Sequence, residues 1–249
     1  MRILLVNANT TQLVTDKVSE QARACAAPGT DIRPVTGNFG ARIIGSRAEH
    51  AIGEHSTLAL VSAHANDCDA VVIAVSYDTG LRAARELLPV PVVGMTEAGL
   101  LTACMLGGRI GVITFGRRVR PLYEELAASY GLASRIAGWR TLDSQAAYRS
   151  GAHEKLDQEL IAQALDLVER DFAETVVLTG AVMAGVASRL QAHVPVPLID
   201  CIACAVAQAE LLARLNHPKP RAGSYAAPGA RELLQVDAAI AARFSANPG

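Results

Sequence analysis

Arg2-Ile3-Leu4-Leu5-Val6-Asn7 returns later in the chain as Arg109-Ile110-Gly111-Val112-Ile113-Thr114. Two more runs repeat in the same order. Ala70-Val71-Val72-Ile73-Ala74-Val75 is echoed by Thr175-Val176-Val177-Leu178-Thr179-Gly180, and Pro89-Val90-Pro91-Val92-Val93-Gly94 by Pro195-Val196-Pro197-Leu198-Ile199-Asp200. The offset stays between 105 and 107 residues, so the 249 residues divide into two similar lobes, each long enough to bury its own core. The expected boundaries are 1–97 plus 205–249 for the first lobe, which takes back the C-terminal segment, and 98–204 for the second. A duplicated pair of lobes is expected to frame one interlobe active site, with Val75 and Gly180 on its two walls.

Short β-branched runs bounded by Gly, Pro, Asn or Asp alternate with longer Ala/Leu-rich stretches of helical period. This pattern reads as α/β, with βαβ units building parallel sheets. Strands are predicted at 2–7, 31–36, 70–75, 92–94, 109–114, 133–137, 175–179 and 197–199, with helices between them. Thr10-Thr11 signals a helix start before Gln12, and Arg120-Pro121 signals another. The Gly-rich stretch 36–45 is predicted irregular. After the breaks at Pro218, Pro220 and Pro228-Gly229, a last helix is predicted from Ala230 to about Phe244, as a surface arm or oligomer contact.

The apolar content is 51%, but only 4% of residues are aromatic, so Ala, Val, Leu and Gly must fill closely packed cores. With 23 basic against 24 acidic residues there is no surplus to attract a polyanion, which argues against a nucleic-acid partner. Apolar runs fall short of the ~20 residues that span a bilayer, so no membrane partner is expected. Five cysteines and no signal segment point to a reducing cytoplasm. Cys201-Ile202-Ala203-Cys204 has CxxC spacing, but it opens an Ala-rich helical stretch and has no second pair, so a structural role is expected. His50 and His55 are five apart, the wrong spacing for one helix face, and no metal site is expected. Neither GxGxxG after a strand nor GxxxxGK[ST] occurs, and no cofactor is expected.

In open parallel sheets ligands bind beyond the carboxyl ends of strands, where backbone N–H groups of the next helical turn are unpaired. Four such ends are rich in donors: Asn7 to Thr11, Val75 to Gly80, Thr114 to Arg118 and Gly180 to Gly185. Asn9, Thr11, Val75, Thr79, Thr114, Gly180 and Ala181 are therefore candidates to line a site for a small anion or a carbonyl-bearing ring.

The segments Val6-Asn-Ala-Asn-Thr-Thr11, Asp69 to Leu81, Val93-Gly-Met-Thr-Glu-Ala98, Val177 to Ala184 and Pro197-Leu-Ile-Asp200, in this order, resemble the aspartate/glutamate/hydantoin racemase superfamily. The resemblance is nearest to its hydantoin and allantoin racemase branch and spans roughly residues 1 to 210. It implies two pseudo-symmetric flavodoxin-like lobes, a cofactor-independent enzyme, a small-molecule substrate, and a homo-oligomer. It also implies a pair of cysteines that remove and return a proton on opposite faces of a carbon acid. Those positions fall on Val75 and Gly180, and neither side chain can take a proton. The arylmalonate decarboxylase branch keeps the second cysteine alone, and this chain lacks that one too. Tyr123, outside the four strand ends, joins the candidates to line the site only through this resemblance.

Replacements are sought among Asp78 and Glu97, carboxylates able to act as general base or to orient water, and Ser76 and Tyr77 beside the first strand end. Arg47 falls in a stretch that closes over substrate in the related racemases, where a guanidinium would clamp a carboxylate. The expectation is an enzyme acting on a hydantoin-like or thiohydantoin-like ring, or a related small carboxylic acid, by hydrolytic or lyase chemistry. The alternatives are a hydantoin/allantoin-type racemase with a relocated base, or a non-catalytic small-molecule binding protein.

Overall fold

The computed structural model describes residues 1–142 and 153–245, which group into two compact units, Met1–Gly94 with Val206–Gly249, and Met95–Ala205. In the first unit β1 (Arg2–Asn7), β2 (Asp31–Thr36), β3 (Ala70–Ile73) and β4 (Val92–Gly94) form a parallel sheet in the order β2-β1-β3-β4. In the second, β5 (Ile110–Phe115), β6 (Ile136–Leu142), β7 (Thr175–Leu178) and β8 (Leu198–Asp200) repeat that order as β6-β5-β7-β8, again all parallel. The repeat in the sequence is thus a repeat of topology. Central strands read as unbroken apolar runs because both faces are covered: Ile3 to Val6, Val71 to Ile73, and Val176 to Leu178 are buried.

The helices of the first unit are α1 (Gln12–Cys25), α2 (Arg47–His64), α3 (Leu81–Leu87) and, near the C-terminus, α9 (Ala238–Ser245). The second unit holds α4 (Met95–Leu106), α5 (Arg120–Ser129), α6 (His153–Asp171) and α7 (Val186–Leu190); α8 (Cys201–Leu215) begins in the second unit and runs on in the first. Leu156, Leu160, Ala164 and Leu167 of α6 form one apolar stripe at helical spacing against Ile113, Leu178 and Val186. No helix among the described residues is long and apolar enough to cross a membrane.

Long-range cations finish several of these helices. The last carbonyls of a helix have no intrahelical donor and carry the negative end of its dipole. Lys219 Nζ donates to the carbonyls of Arg85, Glu86 and Leu88 at the end of α3, and Arg243 to those of Val61 and Ser62 at the end of α2. Arg135 does the same for Cys104 and Gly107 after α4, and Arg109 for Asp171 at the end of α6.

Three sequence expectations are corrected. The sixth strand is not 133–137: Ala133–Arg135 is a single 3₁₀ turn and the strand runs Ile136–Leu142. Gly138 hid it from a propensity reading, but that glycine is required, since a Cβ there would meet the Asp171 carboxylate at 2.6 Å. Strand β3 stops at Ile73, where its pairing with β4 ends at Ile73↔Gly94, and so releases Val75 into the following turn. The last helix starts at Ala238, well after Ala230, because Asp237 provides its cap by accepting from the N–H of Ala239 at 2.8 Å.

Candidate active site

Each sheet ends in an equivalent turn. The outermost pairs are Ile73↔Gly94 and Leu178↔Asp200. Val75 and Gly180 each lie two residues beyond the strand, so they occupy matching places in the two units. Val75 is buried, with only its isopropyl group to offer. Gly180 adopts φ 111, and a Cβ there would meet nothing closer than 3.5 Å.

In the first unit the turn Val75 to Gly80 is packed against α2 more closely than ordinary side chains allow. Gly53 and Gly80 make this possible: a Cβ on Gly53 would strike Ile44 and come within 3.0 Å of the Thr79 methyl, and one on Gly80 would strike Thr57. The Thr57 hydroxyl donates to the Thr79 carbonyl at 2.8 Å. His50, Gly53 and Thr57 recur at i, i+3 and i+7, which puts them on one face of α2, and that face meets the turn. The start of α2 is fixed by a capping box: Ser46 Oγ accepts from Glu49 N–H, and the Glu49 carboxylate accepts from Ser46 Oγ and Gly45 N–H, both at 2.9 Å.

This packing brings the His50 imidazole to the strand end. Its Nδ1 lies 3.1 Å from Thr79 Oγ1, and its Nε2 lies 3.5 Å from Glu54 Oε1 on the next helical turn. Its ring meets that of Tyr77 edge-on, with centroids 6.2 Å apart. Thr79 is fully buried and Tyr77 nearly so, whereas the His50 side chain is 29% exposed. His55 meets the ring of Phe39 instead, tilted at 60° with centroids 5.1 Å apart. The sequence reading weighed His50 only as half of a metal pair. The signal that finds it is the His50/Gly53/Thr57 spacing.

The other residues singled out from the sequence are distributed as follows. Ser76 is half-buried within the turn. Asp78 is buried at φ 49, with its carboxyl seated against Gly94. Arg47 is exposed in the first turn of α2. Asn9 and Thr11 are occupied in shaping the end of β1: Asn9 Oδ1 accepts from Asn7 Nδ2 and Thr11 N–H, and the Thr11 hydroxyl donates to the Arg42 carbonyl at 2.6 Å. Glu97, in the first turn of α4, belongs to the second unit and is half-buried. So do Thr114 and Tyr123, both buried, and Ala181, which opens a 3₁₀ turn after Gly180. The Thr114 hydroxyl is buried and finds no hydrogen-bond partner among the described residues.

The cysteines are all free thiols. Cys201 is buried and its thiol points at the Leu178 carbonyl at 3.5 Å, while burial raises the Cys204 thiol above its ordinary pKa. Both belong to the α8 packing.

A family model described as Asp/Glu/Hydantoin racemase matches residues 3–209. A hydantoin racemase of Paenarthrobacter aurescens is 31% identical over 94% of this chain and 100% of its own length. One from a Pseudomonas species (strain NS671) is 32% identical over 94% of both. Among solved structures, an allantoin racemase from Pseudomonas fluorescens superposes with a TM-score of 0.89 at 34% identity, covering 94% of this chain and 100% of that one. Arylmalonate decarboxylase, at 16% identity and TM-score 0.60, shares the fold alone.

Proposed function

Since the chain belongs to the Asp/Glu/hydantoin racemase family, we propose that it is an enzyme that binds a five-membered cyclic ureide of the hydantoin or allantoin kind and moves the hydrogen on the ring carbon beside a carbonyl. The observation that carries this reading is similarity over 94% of the chain to proteins named for racemising such rings, with 31% identity across the full length of one and a TM-score of 0.89 to another. Neither the relatives nor the site supplies anything that favours the hydrolytic or lyase chemistry expected from the sequence. The racemase alternative, with its proton-transfer group moved, is therefore preferred.

The chemistry fits the residues. A hydrogen beside a ring carbonyl is acidic because the carbanion drains into an enolate, so the enzyme needs a base near that carbon and donors near the carbonyl oxygen. Val75 and Gly180 supply neither base nor acid. Among the described residues the Thr114 hydroxyl is buried without a hydrogen-bond partner, which makes it a candidate donor to such an oxygen.

An optically pure 5-substituted hydantoin, and separately allantoin, incubated with the protein in deuterated buffer would test this. The expected result is decay of optical rotation together with loss of the ring-carbon proton signal, at least about 10²-fold faster than in buffer alone. Appearance of a ring-opened ureido acid would replace racemisation with hydrolysis, and no change in either substrate would overturn the reading.

A further inference from the structure

A cavity of about 310 Å³ opens between two walls that both belong to the first unit. One wall is the stretch 88–92, which leads from α3 into β4. The other is Leu212 of α8 together with the arm, 217–220 and Tyr225. The Pro91 carbonyl accepts from Val71 N–H at 2.9 Å and β4 begins at Val92, so the cavity lies at the amino end of the strand. Ligands of open parallel sheets bind at the carboxyl ends. The cavity is therefore separate from the strand-end turns, and the arm that forms one wall lies beyond the residues 3–209 matched by the family model.

Both walls are fastened. Arg85 Nε donates to the Val92 carbonyl at 2.8 Å, and Lys219 Nζ reaches from the arm to the carbonyls of Arg85, Glu86 and Leu88. Proline, valine and leucine make up most of the lining, and its polar members are Arg85, His217, Lys219 and Tyr225, with no carboxylate among the described residues that line it. Glu86, whose charge reaches Lys219, stays outside the lining. Such walls favour an anion by their charge and an apolar body by their surface, so a bare inorganic ion would use only half of what they offer. The volume is at the lower end of the usual range for ligand sites, about 300–1,000 Å³, which limits the occupant to one ring with a short side chain.

We propose that this cavity is a second ligand site, which takes a small carboxylic acid bearing one apolar ring and so holds the arm against the end of α3. The Lys219 ammonium has its three donors on carbonyls and contributes charge. The His217 ring N–H and the Tyr225 hydroxyl, both on the arm, are the donors for the carboxylate, while the stretch 88–92 supplies the apolar wall for the ring. The ligand thus bridges arm and sheet, and it is released when the arm opens. Binding and arm closure support each other by mass action.

Phenylacetate is the probe, with phenylacetamide as its uncharged counterpart and acetate as the acid without a ring, each titrated by ligand-observed NMR. Phenylacetate is expected to bind with a Kd of about 1 mM or tighter, and each control at least about fivefold more weakly. At about ten times that Kd, limited proteolysis within 217–226 should slow about tenfold, because only the closed arm binds. Leu212→Trp fills the cavity from an exposed position on α8, and it should abolish both effects with the circular dichroism and urea midpoint of the wild type. Tyr225→Leu keeps the apolar wall without the hydroxyl and should weaken binding about three- to tenfold, a second measure that does not depend on the tryptophan being accommodated. Equal binding of phenylacetate and phenylacetamide would overturn the anion site. Binding that survives a folded Leu212→Trp, or that leaves arm cleavage unchanged, would place the acid elsewhere, and no binding at about 20 mM would overturn the site altogether. A wild type that sediments as a dimer and a Leu212→Trp that sediments as a monomer, with no acid bound to either, would assign the cavity to a second copy of the chain instead.

Discussion

The carboxyl of Asp78 occupies the space that a side chain on Gly94 would need: both of its oxygens would lie 2.7 Å from a Cβ built there. The second unit places a carboxylate at the equivalent strand end from a different residue. Asp200, the counterpart of Gly94 in register, accepts from the N–H groups of Ile202 and Ala203 with one oxygen, and from Gly185 N–H at 2.6 Å with the other. Asp200 thus organises the turn of the second unit through three backbone donors, whereas the Asp78 carboxyl fills the space beside Gly94 in the first. Gly94→Ala should destabilise the fold by about 1–3 kcal/mol, the usual cost of overpacking. Asp78→Ala should cost stability by itself, and the double variant should cost less than the sum, because the two changes share one site. Urea unfolding of the three variants measures this directly.

Thr114 presents the opposite case, a buried hydroxyl with no partner among the described residues. An unsatisfied buried polar group costs about 1–3 kcal/mol, so Thr114→Val is expected to raise stability by about 1 kcal/mol. If that hydroxyl is kept for substrate, the same change should raise KM severalfold. Stability and affinity moving in opposite directions would mark a polar group retained for function, whereas a gain in stability with unchanged KM would remove Thr114 from the substrate-binding set.

What the sequence made legible was local or periodic. The three matched runs, each present twice, pointed to two similar parallel sheets, because strands buried on both faces must read as apolar runs. The contacts that tie distant segments together were not legible, since no local pattern encodes them. Lys219, Arg135 and Arg243 are unremarkable cations until the helix ends they satisfy are known, and Glu210 becomes a tie only because it accepts from Ala27 N–H and Thr30 Oγ. The contact of His50 was obscured likewise, since its partner Thr79 lies 29 residues away in sequence, although the His50/Gly53/Thr57 spacing marks the face of α2 that carries it.

The cap on α3 carries its own prediction. Lys219 is half-buried and surrenders solvent to bond three carbonyls, and burial pulls its pKa below the ordinary lysine range. Lys219→Met keeps the aliphatic stem and removes the donors. It should release the stretch 217–226 from α3, so that limited proteolysis cuts there several times faster than in the wild type. Loss of stability should be confined to about 1.5–3 kcal/mol, the contribution of hydrogen bonds to a charged group. An unchanged cleavage pattern would show that the arm is held by its apolar contacts instead.

Burial also raises the thiols of Cys68 and Cys204. A folded-state pKa above the unfolded value means that the neutral thiol favours the fold at neutral pH, and that this contribution is lost as pH rises through the folded pKa. Because the thiolate is the reacting form, alkylation of Cys68, Cys201 and Cys204 at neutral pH should be slow in the folded protein and should become fast in denaturant. Mass mapping of the labelled peptides separates the sites. Rapid labelling of Cys204 in the folded state would mean that the CxxC pair has a chemical role after all.

The family resemblance sets cysteines at positions 75 and 180, and whether either position accepts one can be tested by substitution. At position 75 the backbone is not in the left-handed region, so Val75→Cys removes bulk from a buried site and should fold with a cost of about 1 kcal/mol. At position 180 there is room, since the nearest atom to a built Cβ is Phe115 at 3.5 Å, but φ is 111, a conformation that L residues rarely adopt. Steric space and torsional freedom therefore disagree, and torsion should win: Gly180→Cys and Gly180→Ala should each cost about 1–3 kcal/mol for the same backbone reason. The turn after β7 has thus settled into a shape that only glycine holds comfortably. The double variant Val75→Cys/Gly180→Cys should therefore be less stable than Val75→Cys alone, as read by urea unfolding. Equal stability of Gly180→Ala and wild type would show that this turn relaxes readily and that the positive φ is no barrier to a side chain at position 180.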